Sequence, residues 1–192
     1  MNSIFSDYTK ITESEYYKSA EEYVLWGYGK ILTYTQPTIN QITASKFDIN
    51  KVCDCVYIGD FSSACNTDEL KKIGITHIVT AIIGVEPMYP DKFTYHVVDI
   101  TDRSHSEINK HFDECSDFID NCVKNNGKVL VHCKYGVSRS ATLIAAYLIR
   151  KQNYTTNSAI NLIQKSRTQI KPNDGFVLQL KNYEKMQKNK NE

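Results

Sequence analysis

A chain of 192 residues with net charge +1 and 41% hydrophobic residues has the size and balance of one globular domain. The near-neutral charge gives no whole-molecule reason to bind nucleic acid. The longest apolar run, 141–149, is far short of a bilayer span, and neither Asn2 nor the end at 189–192 fits a lipidation signal, so no membrane association is expected.

Cys53, Cys55, Cys65, Cys115, Cys122 and Cys133 lie in a chain too long to be a disulfide-stapled miniprotein. The first thirty residues carry Asp7, Glu13, Glu15, Glu21 and Glu22 and no apolar run, so no secretory signal is expected there. Reduced thiols in the cytoplasm or nucleus follow as the expectation. Cys53-x-Cys55 lacks the spacing of a zinc pair and no second pair answers it, so strand packing is its expected role.

Taken in order, residues 1–47 are rich in Tyr, Ser and Thr and form an N-terminal extension, packed, partly helical or disordered, with a docking arm as the alternative. A helix over 13–25 puts Tyr17, Ala20, Val24 and Leu25 on one stripe, and Gly27, Gly29 and Pro37 are expected to end it. Residues 52–59 read as a first strand. Thr67 caps a short helix with Asp68 and Glu69 in its first turn, Leu70 and Ile73 inward and Gly74 as its stop. Strands follow at 75–82 and 93–98, separated by a loop with Pro87 and Pro90.

Ser104-His105-Ser106-Glu107 fits a capping box, and in the helix after it Ile108, Phe112, Cys115, Ile119 and Cys122 share one face. Residues 128–131, after Asn126-Gly127, form a fourth strand. A buried helix follows at 141–150. Thr155 caps the next, with Ala159, Leu162 and Ile163 inside, and Asn173 caps the last, which carries Phe176, Leu180 and Tyr183 before a polar tail at 188–192. Strands alternating with helices imply an α/β fold over 48–187, a mostly parallel sheet of four or five strands flanked by helices. Its ligands belong beyond the carboxyl ends of the strands.

At that edge stands His132-Cys133-Lys134-Tyr135-Gly136-Val137-Ser138-Arg139-Ser140. A loop between strand and helix can wrap its amides around a tetrahedral anion, and the helix adds its positive end. Gly136 permits a conformation other residues resist, and Arg139 offers a bidentate fork to two phosphate oxygens. In that field Cys133 is expected to be a thiolate at neutral pH, a nucleophile that accepts a phosphoryl group. His132 is expected to support the loop by hydrogen bonding rather than act as a base. Lys134 and Tyr135 line the rim, with Lys134 suited to acidic flanks or simply solvated.

His132-Cys133-x5-Arg139-Ser140 resembles the signature of cysteine-dependent protein tyrosine phosphatases. The resemblance extends to the dual-specificity branch through Val56-Tyr57-Ile58-Gly59-Asp60, the run from Leu70 to Val79, and Lys171-Pro172-Asn173-Asp174-Gly175-Phe176, and it covers residues 48–187. It implies a metal- and cofactor-free phosphatase acting on phosphotyrosine and phosphoserine or phosphothreonine through a phosphocysteine on Cys133. Phosphate is held by Arg139 and the loop 134–138, that is Lys134, Tyr135, Gly136, Val137 and Ser138, and Ser140 stabilises the leaving thiolate. It also implies a general acid on a mobile upstream loop. Asp102, just before a helix, is preferred over Asp99, which follows a strand directly. No tyrosine-only recognition segment fits before Ile83, so the pocket is expected to be shallow. The implied partners are phosphorylated proteins, a protein kinase among the candidates. Two alternatives stand: a non-protein phosphate ester such as a phosphoinositide or RNA 5′-phosphate, and a phosphoprotein-binding pseudophosphatase.

Overall fold

The computed structural model describes residues 20–43 and 46–191, with side chains from 22–38 and 46–190. Among the described residues the order is α1 (Ala20–Thr43), β1 (Ile49–Cys53), β2 (Val56–Gly59), α2 (Phe61–Ala64), α3 (Thr67–Ile73), β3 (His77–Thr80), β4 (Thr94–Val97), a 3-10 turn (Ile108–His111), α4 (Phe112–Lys124), β5 (Val129–His132), α5 (Arg139–Gln152), α6 (Thr156–Ser166) and α7 (Asp174–Asn191). The five strands form one sheet in the order β1-β2-β5-β3-β4. β1 runs antiparallel to β2, and every other pairing is parallel.

β5 is the central strand, and its register explains its composition. Leu130 packs with Leu70, Ile75, Ile78 and Phe93 on one face. Val129 and Val131 join Phe112, Ile119, Leu143 and Phe176 on the other. A parallel strand buried on both faces is apolar at every position, which is why 129–131 read as a continuous β-branched and leucine run. Truncating Leu130 to Ala is expected to cost about 2–5 kcal/mol. The predicted stripe is buried: Phe112, Cys115, Ile119 and Cys122 on α4, and Ile108 on the 3-10 turn that precedes it.

Several local expectations are corrected. Residues 52–59 are not one strand but the inner part of a hairpin, turned at Asp54-Cys55 with Cys55 at φ +64. Asn66, not Thr67, caps α3, its side chain accepting from the Glu69 amide. The helix α2 between strand and α3 was not anticipated. The Ser104–Glu107 box caps nothing: a 3-10 turn intervenes and α4 begins after His111 with no side-chain cap. Ser106 instead bonds Thr101 through their hydroxyls at 2.6 Å. The polar tail at 188–191 continues α7.

The largest correction concerns α1. Gly27, Gly29 and Pro37 do not end it; it runs through all three to Thr43, while residues 13–19 of the expected helix lie outside the described residues. A Cβ at Gly29 would strike the Ile83 carbonyl and the Gly84 backbone. The glycine that costs helix propensity is therefore the one that lets α1 seat against the sheet domain. Leu32 is buried there, the Glu86 amide donates to Thr33 Oγ1 at 3.2 Å, and Lys30 pairs with Glu86.

Candidate active site

β5 ends at His132, and Cys133 follows at the carboxyl edge of the sheet. His132 is fully buried, lies 5.9 Å from the Phe61 ring in a stacked arrangement, and shares a 2.9 Å hydrogen bond between Nε2 and Thr80 Oγ1 at the end of β3. Burial pushes its imidazole down to about 4, so it is neutral at pH 7.

The loop after it is shaped from outside. The Phe61 amide donates to the Lys134 carbonyl at 3.3 Å. Arg167 donates from Nη2 to the Tyr135 carbonyl (3.3 Å) and from Nε to the Gly136 carbonyl (2.8 Å). The Lys171 amide donates to the Val137 carbonyl, and the Thr142 amide and hydroxyl both donate to the Ser138 carbonyl, each at 2.9 Å. In a trans peptide the N–H points opposite to the preceding C=O. Tying five successive carbonyls outward therefore turns the amides of 135–139 toward the inside of the loop. Gly136 sits at φ +65, and a Cβ there would lie 2.5 Å from the Gly59 carbonyl oxygen, so both its conformation and its space require glycine.

Inside the loop, Cys133 is buried with Sγ 3.4 Å from Ser140 Oγ. Burial alone would push its thiol up. The Arg139 charge, the Ser140 hydroxyl and the amides of Ser140 and Val137 outweigh that and hold it below the ordinary value of 9.0. Arg139 is 7% exposed and donates from Nη1 to the Ile100 carbonyl at 3.2 Å. Its buried Nε has no hydrogen-bond partner among the described residues and stands 3.6 Å from Asp102 Oδ2.

The two aspartates are placed differently. Asp99 Oδ1 accepts from the Gly84 amide at 2.8 Å, bracing the turn on which α1 rests. Asp102 Oδ1 accepts from Ser138 Oγ at 2.6 Å and from Asn173 Nδ2 at 2.9 Å. Asn173 also caps α7, its Oδ1 accepting from the Phe176 amide at 3.0 Å, so one residue ties the helix start to the carboxylate. Gln179 of α7 bonds both the Ser106 carbonyl and the Asn109 amide, and Gly175 lets the Ser104 carbonyl abut α7. Asp102, Ser138, Arg139, Ser140, Cys133 and Asn173 thus converge, while Asp99 faces elsewhere. At the rim Tyr135 is 64% exposed and Lys134 is half-buried.

Sequence reading missed Arg167, which is 2% exposed. Its guanidinium is balanced by Asp48 in a two-pronged pair, Nη1 to Oδ1 and Nη2 to Oδ2, each 2.9 Å, and by Asn50 Oδ1 at 2.7 Å. The pairing holds the Asp48 carboxyl below its usual range. Thr80, Phe61 and Gln179 were likewise not anticipated. Nothing local marks them, because their partners lie in distant segments.

The family model described as "Dual specificity phosphatase, catalytic domain" matches residues 56–186. Dual specificity protein phosphatase 1B of Arabidopsis thaliana is 41% identical over 138 residues, 72% of this chain and 83% of that one. MAP kinase phosphatase with leucine-rich repeats protein 3 of Dictyostelium discoideum is 42% identical over 130 residues, 67% of this chain but 15% of its own length. The crystal structure of the human tyrosine phosphatase-like serine/threonine/tyrosine-interacting protein is similar with TM-score 0.69 and 33% identity, covering 73% of this chain and 98% of that one. With a lowered thiol at the mouth of β5 and this catalytic-domain match around it, the chain belongs to the dual specificity phosphatase family and is a cysteine-based protein phosphatase.

Proposed function

We propose that the protein hydrolyses phosphotyrosine and phosphoserine or phosphothreonine in proteins by two-step transfer through Cys133. The observation that carries this reading is the Cys133 sulfur held below its ordinary pKa inside a loop whose amides are turned inward. The thiolate attacks phosphorus, and the phosphorus–oxygen bond to the side chain breaks. Arg139 and the loop amides balance charge on the three remaining oxygens. Asp102 gives its proton to the departing oxygen; with Oδ1 occupied by Ser138 and Asn173, Oδ2 is the oxygen that carries it. Asp102 then takes a proton from water, whose oxygen attacks the phosphocysteine. The sulfur leaves as a thiolate, which accepts a hydrogen bond from the Ser140 hydroxyl.

The preference for both ester types rests on a rim made of Lys134 and Tyr135, with only α2 and α3 between β2 and β3. Phosphorylated protein kinases are the substrates we favour, by likeness to the relative named as a MAP kinase phosphatase. A reducing compartment, cytoplasm or nucleus, suits a mechanism that needs Cys133 as a free thiol.

The test is turnover of an aryl phosphate and of matched phosphotyrosine and phosphothreonine peptides by the reduced full chain. All three are expected to be hydrolysed, and Cys133→Ser is expected to lose at least about 10^4-fold. Binding of the peptides without turnover would favour a phosphoprotein-binding role instead, and turnover surviving in Cys133→Ser would overturn the mechanism.

A further inference from the structure

α1 lies before the segment that matches the family model, yet it reaches the active-site loop. Tyr28 of α1 places its ring 4.8 Å from Lys134 Nζ, and Lys134 Nζ donates to the Tyr28 hydroxyl at 3.4 Å. The Tyr135 ring stands 5.1 Å from the same ammonium. Lys134 is the residue directly after Cys133, and its carbonyl is already fixed by the Phe61 amide. Among the described residues it pairs with no carboxylate.

We propose that Tyr28 and Tyr135 clamp Lys134 as a fixed, uncompensated cation at the mouth of the site, and that this clamp selects substrates carrying an acidic side chain one or two residues from the phosphorylated one. The proposal rests on the protein-phosphatase reading above and adds a specificity element supplied by α1.

Three features support it. A lysine on a surface ordinarily samples many rotamers, and two aromatic faces remove much of that freedom before substrate arrives, which is preorganisation. Burial alone would lower the Lys134 pKa, but Tyr135 and Tyr28 raise it above the ordinary lysine value, so the charge is kept. The ring of Tyr28 is itself positioned: its neighbour Gly29 seats on the Ile83–Gly84 backbone, Gly84 is held at φ +73, and the Gly84 amide is anchored by Asp99. Asp99 therefore serves the rim of the site through α1 and not its chemistry. The reach is limited by chain geometry: at about 3.3–3.6 Å per extended residue, a cation adjoining the nucleophile meets only the near flanks of the phosphorylated residue.

The experiment compares kcat/KM of the full chain on phosphotyrosine peptides that differ only in Glu or Gln beside the phosphorylated residue, with an aryl phosphate as reference. The expected preference for Glu is about three- to five-fold at low salt, the scale of an exposed ion pair, and shrinks at high salt. Tyr28→Ala is expected to bring the ratio close to one, while Tyr28→Phe keeps the ring and most of the preference. Should Tyr28→Ala fail to fold, Lys134→Met removes the charge directly and must abolish the preference. Aryl phosphate turnover without a preference for Glu, a preference for an apolar flank instead, or a preference unchanged in Tyr28→Ala overturns the clamp alone. Absence of turnover on the aryl phosphate overturns the phosphatase reading, and the clamp with it.

Discussion

The anion loop and α1 meet at Lys134, and they are held in opposite ways. Every carbonyl from Lys134 to Ser138 has a donor, supplied by Phe61, Arg167, Lys171 and Thr142, and the side chains of Cys133, Arg139 and Ser140 are buried. α1 is seated by the Gly29–Gly84 backbone approach, the burial of Leu32 and a few polar contacts to Glu86, while Tyr23, Val24, Ile31 and Tyr34 face outward. A site that stabilises developing charge must be rigid before substrate arrives. A rim that reads flanking sequence needs only to be in place. The difference predicts that damage to the loop's supports cuts the chemistry, whereas damage to α1's seat alters selection.

The widest separation is expected between the two aspartates. Asp102→Asn should lower kcat by about 10^2- to 10^4-fold on an ester with a poor leaving group and far less on one with a good leaving group. Asp99→Asn should leave that dependence intact, since its carboxylate bonds the Gly84 amide that supports α1. Equal losses in both variants would break the assignment.

The base of the loop gives the next effect, on stability. His132 stays neutral in the fold down to about pH 4, whereas an exposed histidine in the unfolded chain takes its proton near 6.5. Between those values the unfolded state binds more protons, so folding stability falls as pH drops from 6.5 toward 4. The loss from this group is about 3 kcal/mol across the window. Urea midpoints at pH 7 and pH 4.5 should differ by correspondingly less in His132→Gln. An unchanged difference would mean that the burial of this imidazole is not what the acid attacks.

A smaller effect is expected at Arg167. Arg167→Gln removes the donors that hold the Tyr135 and Gly136 carbonyls and leaves Asp48 without its partner. A loop displaced by a fraction of an ångström should lose about 10- to 100-fold in kcat. The midpoint of the pH profile for Cys133 alkylation should move up toward the ordinary thiol value, because amides no longer aimed at the sulfur stabilise the thiolate less. Reduced kcat with an unmoved alkylation profile would count against the bracing role.

The smallest chemical effect belongs to α1. Gly29→Val sets side-chain atoms against the Ile83 carbonyl and should destabilise the docked helix by about 1–3 kcal/mol, read as a lower thermal midpoint. Aryl phosphate turnover should stay within about twofold of wild type, the scale of ordinary surface change. A large fall in turnover would show that α1 belongs with the loop rather than in contrast to it.

These contrasts explain which parts were legible in the sequence. The strand–loop–helix from Val129 to Gln152 is contiguous, its glycine and arginine have local reasons to be where they are, and the stripe from Phe112 to Cys122 is set by helical period alone. Asn173 was legible as a cap, but not as the donor to Asp102, since that contact joins segments far apart in the chain. Arg167 reaches Gly136 in the loop and, across a still longer separation, Asp48, and carries no local mark. Gly29 and Pro37 read as breakers because propensity is a local quantity. The backbone approach that makes Gly29 favourable is with Gly84, which no window around Gly29 contains. The Ser104–Glu107 pattern failed for the same reason in reverse: α7, through Gln179 and Gly175, sets the path of that loop.

The most direct test of the central claim is to stop the reaction during turnover and weigh the protein. Rapid acid quench of Asp102→Ala with an aryl phosphate, followed by intact and peptide mass measurement, should reveal one added phosphate on the peptide that contains Cys133, and none on Cys133→Ser. Turnover without any phosphate on Cys133, or the phosphate found on another residue, would contradict the account.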